Sequence, residues 1–218
     1  MKKHFSTIVF AIICGMFIAS CGGGSVGKKL ASNDFLGDLP NIVYQKHLTD
    51  SIIKADQKTA MDKLDWNKQS DWKKGEKIKQ KFDAKSNEAN TKFEAELEKL
   101  RPTLTGKAVP FEMEEGLGYE VTSFKVTEVT EYGSVSTELE VKITDPKEAA
   151  IMKYVNVLNV KMQEVDKDGN EIGYLRDFNV NLSGKTEGAT GNYTYYSVTV
   201  RANEQKYADF AKIKFIKK

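Results

Sequence analysis

The chain reads as an α+β protein: a helical N-terminal region followed by an all-β region of about seven strands. Three observations predict this. Over residues 41–101, Lys, Glu, Asp, Gln and Ala dominate, and apolar residues recur at three- and four-residue spacing. From Gly106 onward Val, Thr, Tyr and Phe dominate, and the apolar period becomes two. Pro102 falls between the two textures. Proline disfavours helix at the residue before it, so Pro102 is expected to mark the join between a helical region, 41–102, and a β domain, 103–218.

Ahead of both lies a leader, residues 1–20. Lys2 and Lys3 give it a positive start, Phe5 to Ile18 an apolar run, and Ala19 and Ser20 a small-residue end, the three parts of a secretory signal. At about 14 residues the run is short of the roughly 20 that a helix needs to cross a bilayer. Cys14 and Cys21 are the only cysteines in the sequence. Once the leader is removed Cys21 is alone, which excludes an internal disulfide and a thiolate metal cluster.

Ile18-Ala19-Ser20-Cys21 resembles the lipobox of bacterial lipoproteins: a branched aliphatic residue, two small residues, then cysteine. Cys14 is a poorer match, because Ile12 and Ile13 precede it and its apolar run would be too short. The resemblance implies that a diacylglyceryl group is added to the Cys21 thiol, that cleavage falls just before it, and that the new amine can be acylated. It also implies a bacterial cell-envelope protein whose membrane partner is reached through the N-terminal lipid. Gly22, Gly23 and Gly24 follow the cysteine, where surface-exported relatives carry a Lys and acids and inner-membrane ones an Asp. That departure points to an outer-membrane anchor facing the periplasm and leaves surface exposure open. Residues 21–40 are expected to form a glycine-rich flexible tether, and the dozen or so residues from Cys21 to Asn33 reach about 20 Å.

The first helical stretch is expected to start after Pro40, with Leu48, Ile52, Ala55, Ala60 and Leu64 roughly following helical spacing. The second carries Ile78, Phe82, Ala89, Phe93, Leu97 and Leu100. Ile78, Ala89 and Leu100 lie eleven apart, close to the period of an untwisted helix face, so one amphipathic helix packed on a neighbour is expected. Gly75, between the stretches, reads as a hinge or turn. Two forms stay open: a helical hairpin or one long bent helix. Residues 66–85 hold seven lysines against Asp71, Glu76 and Asp83. Indole rings favour a membrane boundary, but Trp66 and Trp72 are six apart and would not share a helix face. Solvated lysines with core or loop tryptophans are therefore expected.

In the β region Thr137, Leu139, Val141 and Ile143 alternate with charged residues, as in a strand with one wet face. Tyr119 and Val121 are out of phase with Phe124 and Val126, which predicts a bulge between them. Leu158, Val160 and Met162 lead into Asp166-Lys167-Asp168-Gly169-Asn170 and then Ile172 and Tyr174, a hairpin signal. Phe178 to Leu182, Tyr196 to Val200 and Ile213 to Phe215 follow, and with Gly106 to Met113 they bring the count to about seven. Residues 146–153 read as a short helical turn. Short strands with turn signals and no intervening helix argue a β-sandwich. The pattern resembles the immunoglobulin-like modules of bacterial envelope proteins, without a Cys…Trp…Cys signature.

Chemistry is sparsely written. The net charge is +2, and outside the leader Lys and Arg balance Asp and Glu at 31 each, which argues against a nucleic-acid partner. His47, alone outside the leader, is expected on solvent-facing helix; one histidine builds neither a triad nor a zinc site. Asp166 to Glu171 resembles a calcium loop only faintly, since Gly stands fourth rather than sixth. Glu112, Glu114 and Glu115 read as exposed charge at a strand end. No catalytic, metal-binding or cofactor residue is expected. Tyr193, Tyr195 and Tyr196, beside the glycine-bearing loop 188–191, are the candidate ligand contacts, since tyrosines can stack on sugar rings. The functional expectation is a non-enzymatic, membrane-anchored lipoprotein that binds another envelope protein or glycan. The alternatives are a carbohydrate-binding accessory lipoprotein and an enzyme with an unrecognised site.

Overall fold

A computed structural model describes residues 29–145, 147, 157–183, 190–199 and 205–217. It shows an α+β protein of two helices followed by strands in a mixed sheet. The helices are α1 (Leu39–Met61) and α2 (Gln69–Leu104). The strands are β1 (Phe111–Met113), β2 (Tyr119–Val129), β3 (Ser134–Ile143), β4 (Val157–Asp166), β5 (Arg176–Ser183), β6 (Thr190–Thr199) and β7 (Phe210–Ile216). Apart from Lys147, the region 146–153 lies outside the described residues, as does the lipobox.

The helices form an antiparallel hairpin, but not through Gly75. The turn is the 62–68 segment, and Gly75 is buried inside α2. A Cβ there would sit 2.8 Å from the Trp66 ring, so the absent side chain makes room for the indole. Pro40 occupies the first turn of α1, where its missing N–H costs nothing. Pro102 does not end α2, which continues to Leu104, itself buried. In the last turn the proline forfeits a single helical bond, and burial of Leu104 outweighs that. The expected inner face of α2 holds: Phe82 and Leu97 are buried, and Ile78, Ala89, Phe93 and Leu100 are half-buried. On α1 the face is rotated, since Ile53 is buried while Ile52 is exposed.

The strands follow the order β1-β7-β4-β5-β6-β3-β2. β1 runs parallel to β7, and the other pairs are antiparallel. Among the described residues, the two halves join at β5 and β6 through only Leu182 with Gly191 and Ser183 with Thr190. This order departs from the immunoglobulin one, in which the second and third strands lie in opposite sheets. Here β2 and β3 are direct partners from Tyr119↔Ile143 to Val129↔Val135. Their short connection, with Gly133 at φ +73°, makes a hairpin the cheapest pairing. The expected bulge is present between Val121 and Ser123, with a second between Val126 and Glu128.

Residues 106–113 span the two ends of the sheet. Val109 N–H donates to Phe124 O on β2 at 2.9 Å, whereas Phe111 to Met113 pair with Ile213 to Phe215 on β7. The contact with β2 is an isolated bridge at Ala108, so the sheet is not a closed barrel. Phe111, Phe124 and Phe215 meet edge-on across this seam, with centroids 5.8–6.2 Å apart.

The turn at Asp166–Asn170 forms as expected, with Gly169 at φ +85°. The return is different: Glu171 makes one bridge to Val165, the chain is irregular through 172–175, and β5 begins at Arg176 opposite Met162.

The stretch assigned to the tether ends early. Asn33 is buried, its amide donates to Ala208 O (2.9 Å) and Phe210 O (2.7 Å), and its Oδ1 accepts from the N–H of Phe35 and Leu36. Phe35 and Leu36 enter the core, with the Phe35 ring 5.7 Å from that of Phe210. Two apolar side chains beside a self-bonding Asn supply enough burial to fix a segment whose composition looks like a linker.

Tyr119 at the start of β2 is 6% exposed, and its hydroxyl has no hydrogen-bond partner among the described residues. Burial pushes its phenol up to about 12. Because the folded pKa lies above the unfolded value near 10, this contribution to stability is complete below pH 10 and is lost as pH rises from 10 towards 12. Thermal melts across pH 9–12 should show that loss, and Tyr119→Phe should remove it without lowering stability at pH 7.

Candidate functional site

The sheet-proximal ends of the helices join the main core through Leu39, Val43, Leu97 and Leu104. Farther out, α1 and α2 bury Ile53, Phe82, Gly75 and Asp71, and Ile53 and Phe82 lie outside that core. From Phe93 back to Gln69, α2 runs roughly 36 Å at 1.5 Å per residue. The hairpin therefore projects from the body.

Its tip is built around Asp71. The Asp71 carboxylate accepts from Asp65 N–H at 3.0 Å and from Lys74 Nζ at 2.6 Å, which ties the turn to the first turn of α2. Lys74, then the Asp65 N–H, hold its carboxyl below the usual range. Trp66 lies in the turn, packed on Gly75, and Trp72 is one turn into α2. Trp72 Nε1 donates to Trp66 O at 2.7 Å. Trp66 and Trp72 are 51% and 59% exposed, so both tryptophans are open to solvent at the far end of the hairpin. The six-residue spacing obscures this because Trp66 is not on the helix, and helical face rules do not apply to it.

Around them Lys63, Lys73, Lys77, Lys79 and Lys81 are exposed and in no ion pair among the described residues, whereas Lys68 and Lys74 pair with Asp65 and Asp71. Over residues 62–81 there are seven lysines against four acids.

Nearer the sheet, the groove between the helices opens into a cleft of about 300 Å³ lined by Ile42, Gln45, Lys46, Ala89 and Phe93. His47 is exposed on α1, as expected, and lines an adjoining cleft of about 400 Å³ with Asp50, Glu131 and Tyr132. Tyr132, at the tip of the β2–β3 hairpin, is 76% exposed.

Of the carboxylates weighed from sequence, Glu112, Glu114 and Asp166 are tied into the fold, and Glu115 is exposed. Glu112 pairs with Lys212, and Glu114 accepts the Lys217 N–H at 2.7 Å. Asp166 accepts from the N–H groups of Asp168 and Asn170 and from the Asn170 amide, which lowers its pKa. Its oxygens thus face donors within its own turn. Glu164, which sequence reasoning did not single out, is 1% exposed; Tyr207 Oη donates to it at 2.7 Å and Arg176 Nη2 lies 3.8 Å away. A Cβ on Gly173 would stand 1.8 Å from its Oε2. That carboxylate is enclosed and bonded rather than presented to solvent. Among the described residues no three His, Cys, Asp or Glu converge as a metal site, and no helix is long and apolar enough to cross a membrane.

Tyr193, Tyr195 and Tyr196 lie on β6, whose side chains are outside the description. Register places Tyr193 opposite Leu139 and Tyr195 opposite Thr137, both buried residues of β3. Cys21 lies outside the described residues. Comparison with protein-family models, with curated proteins and with solved structures finds no match to this chain.

Proposed function

We propose that the chain is a lipid-anchored, non-enzymatic protein of the bacterial cell envelope that presents its helical hairpin to another envelope component. Cys21 carries the lipid, residues 22 to about 30 form the tether, and the anchor faces the periplasm from the outer membrane. The observation that carries this reading is the projection of the hairpin. Its distal part buries few side chains, and an isolated helix pair in water gains little stability from its own length. Such a length serves reach. Asn33, Phe35 and Leu36 fasten the tether's end to β7, so a load on the lipid is delivered to the sheet rather than to the hairpin. The Phe111–Phe124–Phe215 contact supports a sandwich-like body, though not one with immunoglobulin strand order.

Labelling cells with a clickable fatty acid tests the anchor. The wild type should take up label and sediment with membranes, and Cys21→Ala should lose the label. An unlabelled wild type, or a labelled Cys21→Ala variant, overturns it.

A further inference from the structure

We propose that the hairpin tip, through Trp66, Trp72 and the lysines around them, is a contact site for an anionic phospholipid surface. The site does not depend on acylation of Cys21. Both indoles are more than half exposed, and they are held rigidly: Trp66 packs on the bare backbone at Gly75, and Trp72 is pinned by its bond to Trp66 O. That bond also satisfies the Trp72 N–H, so the ring can leave water without carrying an unpaired donor with it. Indoles settle at the headgroup boundary of a bilayer. Lysines within a Debye length of anionic headgroups each add about a fivefold gain in affinity, and Lys63, Lys73, Lys77, Lys79 and Lys81 have no competing ion pair among the described residues.

Shape decides between a lipid surface and an acidic protein. The tip is convex and stands at the end of two helices. A protein partner would need a complementary pocket for both exposed tryptophans, whereas a fluid headgroup layer closes around them without one. The acids that remain, Asp62 and Glu76, leave the net charge over 62–81 at three positive.

The test uses the chain's own probes, because Trp66 and Trp72 are its 2 tryptophans and all indole emission comes from the tip. Vesicles of phosphatidylcholine, with or without about one-third phosphatidylglycerol, are added to the full-length protein. The anionic vesicles should shift the emission to the blue, and bromine on their acyl chains should quench it; neutral vesicles should do neither. Lys73→Gln with Lys77→Gln, two exposed positions, should raise the anionic-lipid concentration needed for half the shift about thirtyfold. Emission unmoved by anionic vesicles, or an equal shift in neutral ones, overturns the proposal. Because the readout comes only from Trp66 and Trp72 and needs no acyl group on Cys21, it separates this failure from a failure of the Cys21 anchor.

Discussion

Replacing Phe215 by alanine is expected to destabilise the fold by about 3–5 kcal/mol, the range for emptying a buried aromatic site. Phe215 is fully buried on β7, and its ring meets Phe111 on β1 and Phe124 on β2 edge-on, both at 5.8 Å. These are the two ends of the strand order, and backbone bonds between them are confined to the 106–113 segment. Aromatic packing therefore does at the seam what a ladder of hydrogen bonds does elsewhere in the sheet. Urea denaturation measures the loss. Phe111→Ala makes the comparison, since Phe111 is 39% exposed and should cost well under half as much. Equal costs at the two positions would show that the seam is not held by the buried ring.

Gly133→Ala is expected to cost about 2–4 kcal/mol, from left-handed backbone strain together with overpacking. Gly133 sits at φ +73° in the β2–β3 turn, and an added Cβ would lie 2.4 Å from Val43 Cγ2 and 3.3 Å from Phe93 Cζ. Val43 is on α1 and Phe93 on α2, so at this turn the sheet touches both helices and the added methyl group must push them away. Gly169→Ala separates the two causes. Its φ is +85° but nothing lies within 4 Å, so backbone strain of about 1–2 kcal/mol is all it should lose. Hydrogen exchange should locate the excess damage of Gly133→Ala at the sheet-proximal turns of α1 and α2. If the two alanine variants lose the same stability, the helix contact contributes nothing.

Legibility followed the range of the forces involved. The inner face of α2 was readable because a helix with one neighbour repeats its burial every three or four residues, and Phe82, Phe93 and Leu97 obey that rule. Thr137 to Ile143 were readable for the same reason at period two, and the β2 bulge showed as a slip in phase. Gly75 misled, because a glycine in a polar stretch is a turn signal by default, and only the distant ring of Trp66 explains it inside a helix. Residues 33–36 misled in the opposite sense. Their composition follows a linker, yet Asn33 finds its partners about 175 residues away, at Ala208 and Phe210. Ile52 and Ile53 are adjacent, so a one-residue rotation of α1 exchanged the exposed residue for the buried one.

By itself the sequence determined the local matters: the two helical stretches, the strands that follow them and the alternating faces. Each depends on neighbours within a few residues, where composition and period act directly. Only the tertiary structure decided the strand order, the closing of the seam on Phe215, the fastening of Asn33 to β7, and the pairing of Trp66 with Trp72 at the far end of the hairpin. Those depend on which surfaces meet after the chain turns back on itself. That choice is made by shape, burial and satisfied hydrogen bonds between segments far apart in the chain, and no local pattern records it.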